Sequence, residues 1–562
     1  MKEISKEVIK AYALENAIKY EGKANQGAVL AALFAEGLEK SKIKEIMPTI
    51  QKIIKEVESL SIEEQKSKFE SLGQKTSKRV VRVGLPKLEN AIEGKVVMRF
   101  APFPSGPLHI GNTRTLILND EYAKMYNGKL LIVMDDTIGS EQKPIIPESY
   151  KLIEEAIKYL EIKHDPKILY KSNRIEKYYE YAKELIKKGY LYVCDCENEK
   201  RKELKIQRIE CSCRQFKGVV QLQRWEKLFK APEGSCCVRL KTSMIDPDPA
   251  FRDRIMFRIT DRPHAILANK YRVYPLLDFS WAIDDHVFGI THILRGMELA
   301  IETRTEKFIW DIFGWTHPTI IYNGHFEIEG IKLSKSKGAV EVKSGTYIGW
   351  NDPRSWSVQS LMDRGITPIA IREFILNMGV RKTNITIPVD VLYSLNKKEI
   401  SNCPRYFFLR RPIKIKIKTA PNLEKEIPYG RGNEHSKRAY KTNQDFLIDQ
   451  VDLEMMEDSE YRLMNLLTFN SSNILRAKPR DFHFIATLPE KNKKLKSIVW
   501  LPDNNENVNV VIRYPDNEKV KGLGEPKLKE LKEGTIIYFE NFGYVKLYKK
   551  SKEDLEFWFA HI

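Results

Sequence analysis

Residues 95–119 read KVVMRFAPFPSGPLHIGNTRTLILN, and this stretch decides the fold of the chain. Residues 96–98 form an apolar run of strand length. The three prolines that follow cannot continue a buried strand, because each lacks a backbone donor and has a fixed φ. A helix fits from His109 onward, so the stretch predicts a strand, a tight loop and a helix start. The first turn of a helix has unpaired N–H groups and favours anions, so we expect a phosphate site here.

Two glycine-bounded loops are candidates for phosphate binding. Gly106 and Gly111 let the backbone of the first loop approach a ligand closely. Their spacing matches neither a dinucleotide-binding fingerprint nor a P-loop, so both of those families are excluded. The second loop, GIKLSKSKG at residues 330–338, is basic. Glycines bound it at both ends, so we expect it to be mobile. Taken alone, it is equally typical of a solvated turn.

The chain is basic and has no membrane signal. Its 562 residues include 94 Lys and Arg against 76 Asp and Glu, a net charge of +18. This excess favours a nucleic acid or another anionic partner, and the alternative is a lysine-rich proteome with a solvated surface. No apolar run approaches the roughly 18 residues that span a bilayer. The N-terminus resembles neither a signal peptide nor a transit peptide, so we expect a cytoplasmic protein without membrane association.

Strands alternate with helices over residues 95–338. The apolar run Leu130–Met134 ends in Asp135 and Asp136, helices follow, and the strand pattern resumes at Tyr271–Phe279. Such alternation predicts an α/β domain with a parallel sheet. Ligands of these sheets bind at the carboxyl ends of the strands, so the two aspartates should lie beside the opening loop.

Four of the seven cysteines form two close pairs. They are Cys194 with Cys196 and Cys211 with Cys213. Two thiolate pairs in a large chain without a signal peptide suit a tetrahedral structural zinc site better than disulfides. The spacing is tighter than that of a usual zinc knuckle, so unliganded thiols remain the alternative. We expect the other three cysteines to be packing residues.

The pattern divides the chain into five parts. Residues 1–76 have helical spacing and form an appendage, either a docking module or a solvated helical pair, and residues 77–94 read as a linker. The Rossmann-like α/β domain at 95–338 includes an insertion at 191–265. Residues 339–400 are helical. Short alternating runs at 401–562 predict a β-barrel whose cations and aromatics suit single-stranded RNA loops.

The two loops resemble the paired signatures of class I aminoacyl-tRNA synthetases. PFPSGPLHIGN is similar to the "HIGH" signature, and KLSKS is similar to "KMSKS". Other stretches resemble the glutamyl/glutaminyl branch, and within it the glutamate–tRNA ligases of archaeal and eukaryotic type. They are RFAP at 99–102, DDT at 135–137, GITHILR at 289–295, GWNDPR at 349–354, RYFF at 405–408, FENFGYV at 539–545 and GKAN at 22–25.

The resemblance implies a two-step reaction that uses ATP. L-glutamate would form a glutamyl-adenylate and pass to tRNA-Glu, and also to tRNA-Gln where no glutaminyl enzyme exists. It also implies that activation waits for bound tRNA, that the insertion contacts the acceptor stem, and that residues 339–400 contact the tRNA stem. Mg²⁺ arrives with ATP, and we expect a monomer.

Catalysis of this kind consists of positioning substrates and neutralising charge on phosphate oxygens, without a covalent enzyme intermediate. By resemblance, the catalytic residues are His109, Asn112 and Lys335. The ATP-binding residues implied in the same way are Pro104, Ser105, Gly106, His109, Gly111, Asn112, Gly296, Lys332, Ser334 and Lys335.

Amino-acid recognition requires a cation for each carboxylate and an anion for the ammonium group. By resemblance, Arg99 pairs with a substrate carboxylate, Asp135 holds the ammonium, and Arg295 faces the side-chain carboxylate. The alternative for Arg295 is a structural ion pair with Asp284 or Asp285. A glutaminyl enzyme has no reason to place a cation opposite a neutral amide, so Arg295 favours glutamate. The amino-acid-binding positions are Arg99, Asp135, Leu277 and Arg295.

Five residues around this pocket differ from the family pattern. Asn112 replaces the second histidine of the first signature, and Phe103 stands where a smaller or more polar residue is usual. Val133, Ile138 and Leu277 replace an arginine, a polar residue and a tyrosine. These changes leave three readings open: altered amino-acid handling, a weaker activating enzyme, or a second copy relieved of selection, such as a paralogue that only binds tRNA. A glutamine–tRNA ligase is the further alternative.

Overall fold

A computed structural model of the protein describes residues 5–20, 22–35, 38, 42–72, 84–141, 143–331, 335–430, 436–472, 480–487 and 495–562. The chain divides into two compact units, Met1–Val83 and Gly84–Ile562. Of the stretch expected to be a linker, residues 77–94, residues 77–83 lie outside the described part. Within that part, no helix has both the length and the apolar content that crossing a bilayer requires.

The N-terminal unit is helical where it is described. Isoleucines at helical spacing place Ile50, Ile53 and Ile54 on the buried side of one helix, against Leu14 of another. A capping box at Ser61 and Glu64 starts the last of these helices. The helices are α1 (Lys6–Lys19), α2 (Gln26–Ala35), α3 (Ile43–Glu58) and α4 (Ile62–Ser71).

The larger unit begins with alternating strands and helices, as the apolar runs predict. In chain order up to residue 400 its elements are β1 (Val97–Phe100), α5 (Ile110–Met125), β2 (Lys129–Met134), α6 (Glu148–Tyr159), β3 (Leu169–Tyr170), α7 (Ile175–Lys187), β4 (Leu191–Cys194), α8 (Asn198–Gln207), α9 (Gly218–Leu228), β5 (Cys237–Leu240), β6 (Ile255–Ile259), β7 (Val273–Pro275), α10 (Leu277–Val287), β8 (His292–Gly296), α11 (Ala300–Phe313), β9 (Thr319–Asn323), β10 (Phe326–Ile328), α12 (Lys335–Lys343), α13 (Val358–Arg364), α14 (Pro368–Met378), β11 (Ile385–Ile387) and α15 (Val389–Ile400).

The strands that carry the site are parallel, which confirms the prediction from the alternating pattern. β1 pairs with β2, β2 with β3, and β8 with β9, all in parallel. The Thr291 N–H donates to the Val97 carbonyl at 2.9 Å, which joins the start of β8 to the start of β1. Met98, Leu116 and Ile132 are fully buried in one core between the sheet and α5. The carboxyl ends of these strands therefore meet at one edge.

The strand expected within Tyr271–Phe279 does not belong to the parallel sheet, so that prediction is wrong. β7 pairs antiparallel with β6, and the order in this four-stranded sheet is β4-β5-β6-β7. Leu277 then begins α10. Apolar residues such as Leu276 and Leu277 suit both a strand and the start of a buried helix. An apolar run therefore cannot distinguish a short edge strand followed by a helix from one longer strand.

The C-terminal region forms two seven-stranded, barrel-like sheets, as predicted. Their strand orders are β12-β25-β26-β27-β23-β24-β13 and β21-β18-β19-β20-β14-β17-β22, and β15 and β16 form a hairpin. The elements are β12 (Arg405–Tyr406), β13 (Phe408–Leu409), β14 (Pro412–Lys418), β15 (Leu423–Pro428), β16 (Lys437–Thr442), β17 (Asp445–Asp449), α16 (Gln450–Glu454), β18 (Ser459–Leu463), β19 (Leu467–Ser472), β20 (Asp481–Ala486), β21 (Lys496–Ile498), β22 (Trp500–Pro502), β23 (Val508–Arg513), β24 (Lys519–Gly524), β25 (Ile536–Phe539), β26 (Gly543–Lys550) and β27 (Asp554–His561).

The short helix α13 connects the opening loop to the last barrel strand. At its start, Ser357 pairs through the backbone with His109, and the Val358 N–H donates to the Leu108 carbonyl at 2.8 Å. At its end, the fully buried Arg364 donates to the Phe559 and Ala560 carbonyls at 3.2 and 3.1 Å. One helix therefore carries contacts from the barrel to the loop that precedes α5.

We expect Arg364→Met to lower the free energy of unfolding by about 3 kcal/mol, because it leaves buried carbonyls without donors. Urea denaturation followed by tryptophan fluorescence measures the change. The exposed Arg411 offers a matched control, since Arg411→Met should shift stability by no more than about 0.5 kcal/mol. Equal, small effects of the two substitutions would contradict the role of Arg364.

Candidate active site

The loop between β1 and α5 is held in place by backbone contacts from two sides. The Asp135 N–H donates to the Pro102 carbonyl at 3.0 Å, and the Ile146 N–H donates to the Pro104 carbonyl at 2.9 Å. Gly106 has a φ of 146°, and a Cβ at this position would lie 3.3 Å from the Trp350 ring. A side chain at Gly106 would therefore be both strained and crowded.

His109 and Asn112 cap the N-terminus of α5 reciprocally. The Gly111 N–H donates to His109 Nδ1 at 3.0 Å, and the His109 N–H donates to Asn112 Oδ1 at 3.3 Å. Because Nδ1 accepts a hydrogen bond, the proton of a neutral imidazole lies on Nε2. Asn112 likewise retains its amide group as the donor. Both side chains can therefore donate hydrogen bonds at a helix start that favours anions.

A cavity of about 720 Å³ lies at this edge of the sheet. It brings together the start of α5 and the ends of β1, β8 and β9. The residues from the sequence analysis that line it are Arg99, Phe103, His109, Gly111, Asn112, Arg295 and Gly296. Those that are described but do not line it are Pro104, Ser105, Gly106, Asp135 and Leu277.

The second signature is described only in part. Lys332 and Ser334 lie outside the described residues. Lys335 begins helix α12, so the basic stretch passes into a helix at this residue. The proposed roles of these three residues in ATP binding therefore remain predictions.

Three buried ion pairs surround the Trp281 indole beside the cavity. Their cations lie over its ring, with Arg99 Cζ at 4.1 Å, Arg295 Cζ at 4.8 Å and Lys171 Nζ at 4.9 Å from the centroid. Asp285, Glu306 and Asp135 are the respective carboxylate partners. Stacking on an aromatic face and pairing with carboxylates together offset the desolvation of three buried cations.

Arg295 pairs with an acid that the sequence analysis did not consider. Its Nη1 lies 2.7 Å from Glu306 Oε2 and donates to Thr303 Oγ1 at 2.9 Å. Asp285 pairs with Arg99 instead, and Asp284 accepts from Arg174 and Tyr178. The proposed ion pair of Arg295 with Asp284 or Asp285 is therefore wrong. Its Nε and Nη2 are buried without a hydrogen-bond partner.

Burial and the charge of Arg295 shift the pKa of Glu306 in opposite directions. This carboxyl is completely buried, and desolvation raises its pKa from 4.5 to about 7, while the Arg295 charge opposes the shift. The acid that neutralises Arg295 therefore titrates near neutral pH.

Several cavity features were not anticipated from sequence. Trp281 and Asn323 line the cavity, and Asn323 has both side-chain polar atoms buried without a partner. Lys143 also lines it, with Nζ 5.1 Å from the Phe103 ring centroid. The one available signal was position, since Asn323 ends β9 and the carboxyl ends of parallel strands meet here.

The other unusual pocket positions lie behind the cavity wall. Val133 is buried in β2, and Ile138 packs against a second core, among α7, α10 and the antiparallel sheet. Leu277 is half-buried at the first turn of α10. These three residues therefore affect the cavity through packing, whereas Phe103 and Asn112 line it directly.

Comparison with known proteins gives the family. Residues 95–402 match the model for tRNA synthetases class I (E and Q), catalytic domain, and residues 403–482 match the anti-codon binding domain of the same group. The chain belongs to the class I glutamyl/glutaminyl tRNA synthetase family. The resemblance found in the sequence and the synthetase fold class are thereby confirmed. Members of this family are aminoacyl-tRNA ligases, enzymes that use ATP.

Curated relatives of this synthetase cover almost its full length. The glutamate–tRNA ligases of Pyrococcus abyssi and Pyrococcus furiosus are each 39% identical to it, over 98% and 100% of both chains. The glutamate–tRNA ligase of Methanocaldococcus jannaschii is 37% identical over 99% of this chain and 100% of its own.

The cysteine pairs of this synthetase meet in the insertion. The sulfur atoms of Cys194, Cys196, Cys211 and Cys213 all lie within 4.8 Å of one another. Two of the separations are 3.9 and 3.7 Å. A zinc tetrahedron with Zn–S bonds of about 2.3 Å has S···S edges of about 3.8 Å, so the donor set fits zinc.

Two further residues adjoin this cluster. Arg239 Nη1 lies 3.8 and 3.7 Å from the sulfurs of Cys194 and Cys211, where its charge would offset excess negative charge on four thiolates. Cys237 pairs with Cys194 across two strands and packs against the cluster. It is therefore a neighbour of the site as well as the packing residue expected from sequence.

We expect the purified protein to contain about one zinc per chain, and Cys194→Ser combined with Cys211→Ser to remove it. Elemental mass spectrometry measures the metal, and thermal denaturation should show a lower transition because metal binding contributes to folding. Cys403→Ser, remote in sequence, should change neither quantity. Zinc-free wild-type protein whose stability is insensitive to a chelator would contradict the site.

The titration of Glu306 predicts a pH dependence of glutamate binding. A carboxylate beside Arg295 favours the protonated form of Glu306, so binding takes up a proton and weakens as pH rises through about 7. We expect glutamate affinity to fall roughly tenfold between pH 6 and pH 8.5, as measured by calorimetry.

The variant Glu306→Gln should flatten this profile, while the exposed cavity residue Glu298 gives a control, since Glu298→Gln should preserve it. The same shift means that Glu306 contributes stability at low pH, and this contribution is lost as pH rises from 4.5 towards 7. Glutamate affinity that increases with pH would refute the assignment.

Proposed function

We propose that this synthetase attaches L-glutamate to tRNA through a glutamyl-adenylate, at the expense of ATP. The observation that carries the proposal is a single cavity with hydrogen-bond donors of a helix start at one side and two arginines at the other. The names of its full-length relatives support glutamate as the amino acid.

In the first step, the glutamate carboxylate attacks the α-phosphate of ATP and releases pyrophosphate. His109 Nε2–H and the Asn112 amide would donate to phosphate oxygens, together with the N-terminus of α5. Lys335 and Lys332 would neutralise the β- and γ-phosphates from the second loop. Mg²⁺ bound with ATP would supply positive charge that offsets the charge of the phosphates. Gly296, at the end of β8, lines the same cavity.

Arg99 and Arg295 are the residues that would orient glutamate. Each is a cavity-lining cation held by an ion pair, so its position is fixed before the ligand arrives. The unpaired Nε and Nη2 of Arg295 can donate to a ligand carboxylate. They would bind a neutral amide oxygen less strongly, because charge-assisted hydrogen bonds are stronger. This favours glutamate over glutamine.

In the second step, the terminal adenosine hydroxyl of tRNA attacks the adenylate. The barrel-like sheets would bind the anticodon of tRNA-Glu, and also that of tRNA-Gln in an organism without a glutaminyl enzyme. The net charge of +18 supports binding of a polyanion. We propose that the protein works as a monomer in the cytoplasm.

The test is pyrophosphate exchange with glutamate or glutamine, each with and without tRNA. We expect exchange with glutamate only, and only with tRNA present. His109→Ala should reduce the rate roughly 100- to 1,000-fold, since it removes a donor to the transition state. His286 is exposed and stacks on Trp315, so His286→Ala is the matched control and should retain the rate.

Exchange with glutamine but not glutamate would identify a glutamine–tRNA ligase. No exchange with either amino acid, combined with salt-sensitive tRNA binding, would identify a tRNA-binding paralogue. Either result would overturn the proposal.

A further inference from the structure

Trp350, in the turn between α12 and α13, borders both of the segments that carry the two signatures. We propose that Trp350 is a positioning residue for adenylate formation. It would hold the loop before α5 and the helix α12 at a fixed separation, so that phosphate donors on the two segments reach the same ligand. This inference deepens the proposed function and rests on it.

The indole ring of Trp350 covers the backbone of the loop before α5. A Cβ built at Gly106 would lie 3.3 Å from Cζ3 and 3.7 Å from Cη2 of Trp350. These two atoms form the far edge of the six-membered ring, so the contact uses the full length of the indole. Gly106 has a φ of 146°, which other residues rarely adopt. The loop is thus shaped to admit the ring, and the ring restricts the movement of the loop.

The start of helix α6 holds both the ring and the loop. Trp350 Nε1 donates to Glu148 Oε2 at 2.9 Å, and Glu148 is the first residue of α6. Two residues earlier, the Ile146 N–H donates to the Pro104 carbonyl at 2.9 Å. The hydrogen bond between Trp350 and Glu148 is exposed, so its net contribution to stability is small. Its main effect is therefore on the orientation of the indole.

The backbone of Trp350 is connected to the histidine of the first signature. Its carbonyl accepts from Ser357 Oγ at 2.7 Å, and Ser357 pairs through its backbone with His109. The Ile110 N–H donates to the Trp356 carbonyl at 3.1 Å, which continues the same pairing. The turn and the start of α5 are therefore joined by hydrogen bonds. A displacement of Trp350 would shift the residue that offers Nε2–H to phosphate.

Trp350 also borders helix α12. A narrow cleft of about 20 Å³ is lined by Trp350 and His109 together with Gly338 and Val342 of α12. This volume holds about one water molecule, so the two signature segments approach each other closely here. Helix α12 begins at Lys335, and Gly338 lies about one turn further along. The indole is therefore one of the side chains that set the separation between the start of α12 and His109.

Trp350 acts through its neighbours rather than by contact with the substrates. It belongs to the described part of the chain and does not line the large cavity in which Arg99 and Arg295 lie. Catalysis by positioning is sensitive to small displacements, and a misplacement of about 1 Å can lower a rate roughly 100-fold. A change at Trp350 should therefore lower kcat and leave the KM values for glutamate and ATP almost unchanged.

The experiment measures pyrophosphate exchange by the full chain with glutamate and a tRNA transcript present. Trp350→Leu removes the flat ring and Nε1, so we expect kcat to fall about 30- to 100-fold while both KM values change less than about threefold. Trp350→Phe keeps a flat but shorter ring, so its kcat should lie between those of the wild type and Trp350→Leu.

Trp315 supplies the matched control. It is half-buried like Trp350, it stacks on His286, and it belongs to the described residues that do not line the cavity. Trp315→Leu should therefore retain kcat. Near-UV circular dichroism at the assay temperature measures the folded fraction of each variant, to which kcat is referred.

Glu148 tests whether the orientation of the ring matters. Glu148→Gln keeps an acceptor oxygen and should retain kcat, whereas Glu148→Ala should lower it about fivefold. Glu148→Ala combined with Trp350→Leu should lower kcat no further than Trp350→Leu alone, because Glu148 acts through the indole. If Trp350→Leu fails to fold, the order of kcat among the wild type, Trp350→Phe and the two Glu148 variants decides.

Three outcomes would overturn the inference. One is a kcat of folded Trp350→Leu within about threefold of the wild type, or an equal loss in Trp315→Leu. Another is a loss that appears mainly as a higher KM, and the third is full additivity of the Glu148 and Trp350 substitutions. If the wild type exchanges pyrophosphate with glutamate and one of these results is obtained, the inference fails and the proposed function stands. A wild type without any exchange would overturn both.

Discussion

The ion pair between Arg99 and Asp285 is the contact on which the centre of the molecule depends. Arg99 lies on β1 and Asp285 lies on α10. Both hydrogen bonds between the two side chains are buried. The pair fixes the end of the first strand against the helix that carries Trp281. Because a buried charge without its partner is costly, the two other cations on the indole have partners of their own. The arginines Arg99 and Arg295 that line the cavity are therefore each neutralised by a buried carboxylate.

The local features of the fold could be predicted from sequence, because their causes are local. Prolines after an apolar run end a strand wherever they occur, and β1 and α5 lie where residues 95–119 predict them. The parallel pairing also followed from alternation. The residues 271–279 were assigned to the wrong sheet because a short apolar run carries no information about its pairing partner.

The partners of buried charges could not be predicted in the same way. Glu306 lies eleven residues after Arg295, and Lys171 and Asp135 are 36 residues apart. Neither separation follows a motif, since helix α11 and the turn at Lys171 bring them together only in the folded chain. Sequence indicated which residue types gather at the cavity. It did not indicate that each would already have an opposite charge beside it.

Helix α13 connects two parts of this unit that are far apart in the sequence. Its seven residues span about 10 Å at a rise of 1.5 Å per residue. Ser357, just before the helix, pairs with His109, and Arg364 at its end contacts strand β27, 195 positions further along the chain. A barrel strand and His109 are thus linked through two turns of helix. Strand β27 is therefore connected through one short helix to the loop that lines the cavity.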